Sequence, residues 1–472
     1  MRKDELRKIS LAFLGWWISL LCYPAMTIQV TGTPQLTPML DSIYIAGTFN
    51  SWNPADDNFR LEHVSDVWTI DIEGTEGESI EFKFTRGVDW LTVEGNELGG
   101  VITDRTAIFH DGTTQSYVIA GWEDLPGTHT VTDRVRILDM DFAIPQLSRT
   151  RRIWICLPAG YETSNALYSV IYMHDGQNLF DNATSFAGEW SVDEALATGA
   201  IPDCGNTIVV GIDNGSSHRL DEYSPWVNAE YDEGGEGDLY TQFIVETLKP
   251  YVDANFSTMH DREHTAIAGS SLGALISVYM IAKHNDVFSK AGLFSPAYWF
   301  NPEIFQFVED NPLPADSRIY SVCGDQESTD MVPDMNTMHN TILDGGVPFT
   351  NLSYMVQAGG QHNEYYWAQQ FPDAYHFLFD CSTLVNALGN GHSIKAYPNP
   401  AHDTITLEMN KGVLTYIFIL DSEGKKVLRE SMTSKKTIDI SGLARGSYVV
   451  RCSYMPEHTS TVMIGSFMFI KE

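Results

Sequence analysis

The sequence predicts an α/β domain built on a mostly parallel, doubly wound sheet and flanked by two smaller all-β units. Three observations lead to this prediction. From residue 132 to residue 385, near-continuous apolar runs alternate with amphipathic stretches, as in parallel sheets whose strands are buried on both faces. On either side, short runs of alternating hydrophobicity are separated by Gly, Asn and Asp clusters. The chain of 472 residues is long enough for several such units.

The charge balance of the chain excludes one large class of partners. Lys and Arg total 29 against 62 Asp and Glu, so the formal net charge is −33 with His neutral. A field of that sign repels phosphate backbones and anionic lipid surfaces. We therefore predict no nucleic-acid partner. The 43% of hydrophobic residues indicates packed globular domains rather than bulk disorder.

The N-terminus has the features of an export signal. Basic residues at positions 2, 3, 7 and 8 precede an apolar run over residues 9–21, and the small Ala25 follows it. The run is shorter than the roughly 20 residues that a spanning helix needs. We predict that residues 1–25 are a cleaved signal peptide and that the chain has no integral membrane span.

Residues 31–125 are predicted to form the N-terminal all-β unit, a sandwich of about seven strands. Its tryptophans Trp52, Trp68 and Trp90 have flat apolar faces that suit sugar rings, although Trp52 and Trp68 would equally fill the core of a sandwich. The segment 46–54, AGTFNSWNP, with FKFTRG at 82–87, resembles the immunoglobulin-like modules related to starch-binding and glycogen-binding domains. That resemblance implies a carbohydrate-binding role.

The central region, residues 132–385, contains the segment with the clearest chemistry. Its predicted strands include residues 153–157, 169–173, 207–212, 265–268, 291–294 and 318–322, and its predicted helices are 192–197, 241–251, 272–283 and 335–343. The sequence Gly269-Ser270-Ser271-Leu272-Gly273 stands between a predicted strand and a predicted helix. A G-x-S-x-G sequence in that context predicts a sharp turn that presents its central Ser271 as a nucleophile.

A serine hydroxyl needs a neighbouring base, and the base needs a carboxylate to orient it. His362 is the best candidate base, because it follows the predicted strand 353–357 in a Gly-rich loop. Three carboxylates after the strand 318–322 are candidates for the acid: Asp325, Glu327 and Asp330. The order serine, acid, histidine along the chain is the one expected for a nucleophile turn of this type.

The oxyanion formed in acyl transfer is stabilised by backbone N–H donors. One donor normally belongs to the residue after the nucleophile, which is Leu272 here. The other is expected from the loop 174–180, which follows the predicted strand 169–173.

These motifs together resemble the putative esterase family of α/β-hydrolases, which includes feruloyl esterases, S-formylglutathione hydrolases and enterobactin esterases. The resemblance implies an α/β-hydrolase fold. It also implies that the acid is Glu327, three positions after the Gly of the Cys-Gly turn, with Asp325 as the next choice. The second oxyanion donor would be Gly176 or Gln177, with Gln177 slightly preferred.

The loop 211–226 resembles the family's IDNG and R-x-x-E-Y-S-P signature. It follows a predicted strand, so it faces the edge of the sheet where ligands bind. We expect Arg219 and Glu222 to form an internal ion pair in this loop, with substrate contact by Arg219 as the alternative. Trp226 and Trp367 are candidate walls of a pocket for an aromatic acyl group or a sugar, or else core residues.

Residues 392–472 are predicted to form a small C-terminal β-sandwich. The unit opens with Tyr-Pro-Asn-Pro at 397–400 and contains a late Gly-x-Tyr-x-Val sequence at 446–450. Both features resemble the C-terminal sorting domain of proteins exported by the type IX secretion system. The resemblance implies that the type IX machinery is a partner and that the protein is secreted or attached to the cell surface.

Three functions follow from these observations. The first is a secreted serine esterase that hydrolyses feruloyl or acetyl groups on plant polysaccharides or oligosaccharides through an acyl-enzyme on Ser271. The second applies the same chemistry to a siderophore lactone, which the acidic chain disfavours. The third is a non-catalytic surface glycan-binding protein. No cofactor and no metal site are predicted, since the acidic residues are scattered and show no ligand spacing.

Overall fold

The computed structural model describes residues 24–197, 207–379, 394–398, 401–409, 413–420, 426–430, 435–455 and 463–471. Residues 1–23, which hold most of the predicted signal peptide, lie outside this set. The chain divides into two compact units, one holding Met1–Pro34 with Asp41–Pro126 and the other holding Gln35–Leu40 with Gly127–Glu472. The finer bounds 31–125, 132–385 and 392–472 stay predictions.

The N-terminal unit is all-β, as the sequence predicts. Its strands form a four-stranded sheet in the order β3-β4-β1-β8, a three-stranded sheet in the order β2-β5-β7 and a two-stranded pair, β6-β9. The strands are β1 (Ala25–Gly32), β2 (Ile43–Gly47), β3 (Glu62–Val64), β4 (Val67–Glu73), β5 (Ser79–Arg86), β6 (Glu94–Gly95), β7 (Arg105–Ile108), β8 (Thr114–Val118) and β9 (Gly121–Trp122).

The first strand begins earlier than the sequence prediction for this unit, which starts at residue 31. Met26, Ile28 and Val30 alternate with polar neighbours and are all fully buried. Their period of two is that of a half-buried strand. The predicted export signal, residues 1–25, and the first strand therefore meet at Ala25.

The second unit contains an eight-stranded, mostly parallel sheet in the order β10-β11-β13-β12-β16-β17-β18-β19. The pairs from β13 through β19 are parallel, whereas β10 and β11 are antiparallel to their neighbours. The strands are β10 (Val135–Ile144), β11 (Arg149–Cys156), β12 (Ser169–His174), β13 (Thr207–Ile212), β16 (Thr265–Ser270), β17 (Lys290–Phe294), β18 (Arg318–Gly324) and β19 (Leu352–Gln357); a short hairpin of β14 (Val227–Asn228) and β15 (Glu233–Gly234) lies apart from the sheet.

Helices connect these strands, as crossovers between parallel strands require. They are α1 (Val192–Ala197), α2 (Arg219–Glu222), α3 (Gly237–Phe243), α4 (Lys249–Asn255), α5 (Leu272–Lys283), α6 (Glu303–Asp310), α7 (Met331–Asp344) and α8 (Glu364–Phe379), with a π-helical turn over Ile244–Leu248 that joins α3 to α4. The predicted α/β-hydrolase fold with a doubly wound, mostly parallel sheet is confirmed.

Two helices differ from the sequence predictions. Helix α7 begins at Met331, four residues before the predicted start, because Pro333 is compatible with the first turn of a helix. Helix α8 directly follows the loop that carries His362, although the sequence prediction included no helix there. Its buried positions recur on one face, which includes Trp367 and Phe371.

A buried carboxylate fixes the loop after β13 to the edge of the sheet. Glu222, in α2, is fully buried and accepts hydrogen bonds from Arg151 at 2.8 and 2.9 Å and from Arg149 at 2.9 Å. Both arginines lie on β11. The predicted ion pair between Arg219 and Glu222 is therefore wrong. Glu222 pairs with the two arginines of β11, and Arg219 pairs with Asp175.

The C-terminal part of the chain is also all-β. Its strands form sheets in the orders β20-β21-β24 and β23-β22-β25-β26. They are β20 (Ile394–Tyr397), β21 (Thr404–Met409), β22 (Val413–Leu420), β23 (Lys426–Glu430), β24 (Lys435–Asp439), β25 (Gly446–Met455) and β26 (Met463–Lys471). Within the described ranges, the helices are all too short or too polar to cross a membrane.

We expect Glu222→Gln to lower the free energy of unfolding of the second unit by about 3–5 kcal/mol, because it leaves the buried guanidinium of Arg151 without its counter-charge. Glu236→Gln is the matched control: Glu236 pairs with Arg149 but its side chain is one-third exposed, so its loss should be below about 1 kcal/mol. Denaturant unfolding followed by circular dichroism measures both. Equal losses in the two variants would contradict this account.

Candidate active site

Ser271 lies on a strained turn between a strand and a helix. Strand β16 ends at Ser270 and helix α5 begins at Leu272, and between them Ser271 adopts φ 57° and ψ −120°. A positive φ is unfavourable for a residue with a Cβ and costs about 1–3 kcal/mol. Such strain persists only where the surroundings enforce it, and it is the backbone geometry expected of a nucleophile turn.

The two glycines of the motif make the turn possible. A Cβ on Gly269 would lie 2.8 Å from the carbonyl carbon of Gly273 and 2.9 Å from Cδ2 of His174. A Cβ on Gly273 would lie 3.2 Å from Cβ of His174. The strand and the helix therefore approach each other closely on either side of Ser271, and the loop after β12 closes against both.

The loop after β18 and the loop after β19 bring an acid to a histidine. Nδ1 of His362 lies 2.8 Å from Oε2 of Glu327. The Glu327 side chain is almost fully buried, whereas that of His362 is 38% exposed. When Nδ1–H of the neutral imidazole donates to Glu327, Nε2 carries no proton and is available as a base.

The other two acid candidates have different surroundings. Oδ1 of Asp325 accepts the N–H of Gly359 at 2.7 Å and so closes the turn before the histidine loop. Asp330 is exposed and stands at the N-cap position of α7. Of the three candidate carboxylates, the structure brings Glu327 to His362.

Two glycines let the acid loop and the histidine loop touch. A Cβ on Gly324 would lie 2.0 Å from the carbonyl oxygen of Gly360, and a Cβ on Gly360 would lie 2.8 Å from Cα of Gly324. No side chain fits between these backbones. Their contact sets the distance over which Glu327 reaches His362.

Ser295, which sequence reasoning missed, connects Glu327 to the turn at Ser271. Its hydroxyl donates to Oε1 of Glu327 at 2.8 Å and accepts Nε1–H of Trp367 at the same distance. Its neighbour Phe294 accepts the N–H of Ser271 at 2.9 Å. Ser295 follows β17 at the carboxyl edge of the sheet, so the edge position was the signal that would have identified it.

Trp367 lies against His362, the candidate base, rather than at a pocket wall. Its ring centroid is 5.0 Å from that of His362, edge to face, and the side chain is 4% exposed. The other candidate wall, Trp226, packs against Tyr279 and Phe307 at 5.7 Å each. These contacts favour the packing alternative for both tryptophans.

The expected oxyanion donors are the N–H groups of Leu272 and Gln177. In the described part of the chain, no backbone carbonyl accepts from either group. Leu272 is the first residue of α5, where N–H groups have no intrahelical partner. Gly176 is the alternative to Gln177 as donor. Its backbone lies directly against β13, since a Cβ there would lie 2.7 Å from the nitrogen of Ile212.

Buried ionic contacts hold the loop that carries Gln177. Asp175 accepts two hydrogen bonds from Arg219, at 2.8 and 2.9 Å, and one from Asn214 at 2.7 Å. Burial alone raises the pKa of the Asp175 carboxyl, but the Arg219 guanidinium outweighs this effect and holds the pKa below its ordinary value. Arg219 therefore supports the loop, because its guanidinium forms an ion pair with Asp175.

His174, at the base of this loop, is neutral. Burial lowers the pKa of its imidazole to about 3. Its Nδ1 lies 2.9 Å from the hydroxyl of Tyr240, and the neighbouring Tyr223 hydroxyl accepts the N–H of Asp175 at 3.1 Å. A buried His174 held by Tyr240 supports the turn at Gly269 and Gly273.

Glu364 is a second buried carboxylate near His362. It is 9% exposed and accepts a hydrogen bond from Nδ2 of Asn178 at 3.3 Å. Burial raises the pKa of Glu364, and the Asp175 carboxylate raises it further. Sequence reasoning missed this residue, although it stands two positions after His362.

In the N-terminal unit, two of the predicted tryptophans share a surface pocket. Trp52 and Trp90 line a cavity of about 260 Å³ together with Lys83, Val93 and Asp104. Their ring centroids are 6.2 Å apart, and Trp90 is 40% exposed. Neither ring belongs to the buried core.

Trp68 lies outside this pocket. It stands on β4 and stacks on His63, with ring centroids 4.1 Å apart. It is partly buried and does not fill the sandwich core either.

Comparison with known protein families gives two matches. Residues 144–378 match the family described as putative esterase, and residues 395–464 match the secretion system C-terminal sorting domain. The uncharacterized protein YbbA of Bacillus subtilis (strain 168) is 26% identical over 241 residues, which are 48% of this chain and 92% of that protein.

Two solved structures are among those to which this chain is similar. One is a ferulic acid esterase, with 16% identity, a TM-score of 0.40 and coverage of 52% of this chain and 97% of that one. The other is the enterobactin esterase FES from Shigella flexneri, with 14% identity, a TM-score of 0.42 and coverage of 72% and 88%. The sorting domain indicates export through the type IX system to the cell surface or the medium. Residues 144–378 therefore form a domain of the putative esterase family.

Proposed function

We propose that this protein is an exported serine esterase that removes acyl groups, feruloyl or acetyl, from plant polysaccharides or oligosaccharides. The observation that carries the proposal is the strained Ser271 turn at the same sheet edge as the hydrogen-bonded pair Glu327–His362. A strained serine after a parallel strand and a carboxylate-bound histidine are the parts that acyl transfer requires.

In the proposed reaction, Oγ of Ser271 attacks the ester carbonyl while Nε2 of His362 takes its proton. The N–H groups of Leu272 and Gln177, with Gly176 as the alternative to Gln177, stabilise the oxyanion. His362 then donates the proton to the leaving alcohol, and an acyl group remains on Ser271. Water, activated by His362 in the same way, releases the acid and restores the serine.

Glu327 acts on His362 and not on the substrate. It accepts from Nδ1 of His362, from Ser295 and from the N–H of Gly324, so its carboxylate is fixed by three donors. A fixed carboxylate selects the imidazole tautomer and stabilises the imidazolium that forms in each step. The ring of Trp367 packs edge to face against the His362 imidazole.

Polysaccharide esters are favoured over an anionic lactone by the surroundings of the site. The Arg219 guanidinium is already paired with Asp175, and the chain carries a net charge of −33. Aromatic side chains on segments that follow strands at this edge are exposed, with Phe186 at 93% and Trp299 at 46%. Flat exposed rings suit sugars and aromatic acyl groups.

We expect Ser271→Ala and His362→Ala each to lower kcat on nitrophenyl acetate, and the release of ferulate or acetate from acylated xylan, by about 10³-fold or more, because each removes a member of one catalytic unit. His260→Ala, a change at an exposed histidine, is the control and should keep wild-type rates. Chromatography of released acids measures the effect.

If Ser271→Ala kept the wild-type kcat, the proposed mechanism would be contradicted and the non-catalytic glycan-binding alternative would be favoured. Cleavage of a triscatecholate lactone without any release from acylated xylan would instead assign the same chemistry to a siderophore substrate.

The acid is tested separately. Glu327→Gln should lower kcat by about 10³-fold or more, since it removes the charge that orients and stabilises His362. Asp325→Asn should change kcat by less than about tenfold, because Asp325 only closes a turn through Gly359. Steady-state kinetics of both variants, with circular dichroism as the folding check, decide the assignment. A larger loss in Asp325→Asn would reverse it.

We also infer that the pocket of Trp52 and Trp90 binds a glycan. Two rings at a surface cavity, with Lys83 and Asp104 beside them, offer stacking faces and polar groups for hydroxyls. We expect Trp52→Ala and Trp90→Ala to weaken binding to soluble starch or xylan about tenfold or more in affinity gels, whereas Trp68→Ala, outside the pocket, should leave it unchanged. Equal binding by all three variants and the parent chain would refute the assignment.

A further inference from the structure

The first turn of α8 carries a buried carboxylate that the proposed mechanism does not use. Glu364 is the first residue of this helix and stands two positions after His362. The side chain of Asn363, between them, accepts the N–H of Tyr366 at 2.9 Å and so caps the helix. One short, capped segment therefore fixes Glu364 relative to the candidate base.

Glu364 reaches across to the loop that follows β12. Its Oε1 accepts a hydrogen bond from Nδ2 of Asn178 at 3.3 Å, and both side chains are buried. The segment after Asn178 covers this contact, since a Cβ on Gly188 would lie 3.7 Å from Cβ of Glu364. The bond joins the helix that follows the histidine loop directly to the loop of the expected second oxyanion donor.

Asn178 is held through its backbone and its side chain. Its N–H donates to the carbonyl of Asp175 at 2.9 Å, and its carbonyl accepts the N–H of Trp190 at 2.8 Å. Its Oδ1 accepts the N–H of Phe186 at 2.9 Å, while Nδ2 donates to Glu364. The main chain and both ends of the side-chain amide thus have partners. Glu364 is the partner that comes from the histidine side of the site.

The neighbouring Gln177 is held by its carbonyl and its side chain. The carbonyl accepts the hydroxyl of Thr184 at 2.9 Å, and Oε1 accepts the N–H of Asn214 at 3.1 Å. The N–H of Gln177 is the expected oxyanion donor. Such a donor is effective because it is fixed in advance at the place where negative charge develops. Its position depends on Asn178, which shares a peptide bond with Gln177.

The charges that act on Glu364 come from both loops. Burial raises the pKa of its carboxyl, and the Asp175 carboxylate raises it further. The N–H of Glu364 itself, His362 and Arg219 act in the opposite direction. Burying a carboxyl group costs free energy that an apolar side chain of the same size would avoid. The presence of an acid here is therefore to be explained by the hydrogen bond that it accepts.

We propose that Glu364 is a positioning residue for the esterase reaction: through Asn178 it fixes the N–H of Gln177 relative to His362. The proposal rests on the proposed function and adds to it a direct link between the base and the oxyanion donor. The link matters because a misplacement of about 1 Å in a reacting arrangement costs on the order of 10²-fold in rate.

The test compares two side chains of similar size at position 364 in the full-length chain. Glu364→Met removes the acceptor and should lower kcat on nitrophenyl acetate about 10–100-fold with little change in KM, because the lost interaction belongs to the transition state. Glu364→Gln keeps an acceptor for Nδ2 of Asn178 and should stay within about threefold of the parent. Glu303→Met, at the exposed first residue of α6, is the control and should keep the parent kcat.

Two further measurements separate positioning from stability. In the Asn178→Ala background, Glu364→Met should lower kcat by less than about twofold, since the bond is already absent. Inhibition by a phenylboronic acid, whose tetrahedral adduct on Ser271 resembles the oxyanion intermediate, should weaken in Glu364→Met by about the same factor as kcat. A lower Tm with unchanged kcat and unchanged inhibition would show a structural role and overturn the proposal.

Equal losses of kcat in Glu364→Met and Glu364→Gln would also overturn it, because the hydrogen bond would then not be the cause. This proposal and the proposed function fail separately. Parent kcat in Ser271→Ala contradicts the esterase mechanism itself, whereas a large loss in Ser271→Ala with parent kcat in Glu364→Met contradicts the positioning role alone.

Discussion

The close approach of backbones around Ser271 is the constraint on which the rest of the site depends. Gly269, Gly273 and His174 leave no room for additional side-chain atoms, so the chain turns with a positive φ at a residue that resists it. The strain is supported by β16 and α5, which are buried along almost their whole lengths. A tightly packed sheet thus stabilises one unfavourable conformation and keeps the proposed nucleophile at the start of a helix.

The other parts of the site are connected to this turn by a short chain of hydrogen bonds. Ser271 donates its N–H to Phe294, and the next residue, Ser295, contacts Glu327 and Trp367. Glu327 and Trp367 together hold His362. Neighbouring parallel strands end in register, so one main-chain bond and four side-chain contacts are enough to relate groups that are far apart in sequence.

The sequence predicted the fold class and the identity of Ser271 and His362 as candidates, because strand, turn and helix follow one another locally there. It did not choose the acid by spacing alone, since Asp325 and Glu327 stand two residues apart and only the conformation of their turn separates them. The pairing of Arg219 and Glu222 was wrong for a similar reason. Their true partners, Asp175 and Arg151, are supplied by other strands, and a single sequence does not reveal contacts of that range. Ser295 was missed because the contacts of its hydroxyl belong to no sequence motif, and only its position after β17 indicated a place at the edge of the sheet.

The contact between Gly324 and Gly360 has a consequence for how such a protein diversifies. Because two glycine backbones in contact set the separation of Glu327 and His362, a side chain added at either glycine would change the geometry of this pair. The segments after β12, β13 and β17 are also constrained, because they carry Asp175, Glu222 and Ser295, whose contacts hold the site together. Variation between related proteins is therefore expected at exposed positions of these segments, such as Phe186 and Trp299, and not at the residues that hold the site.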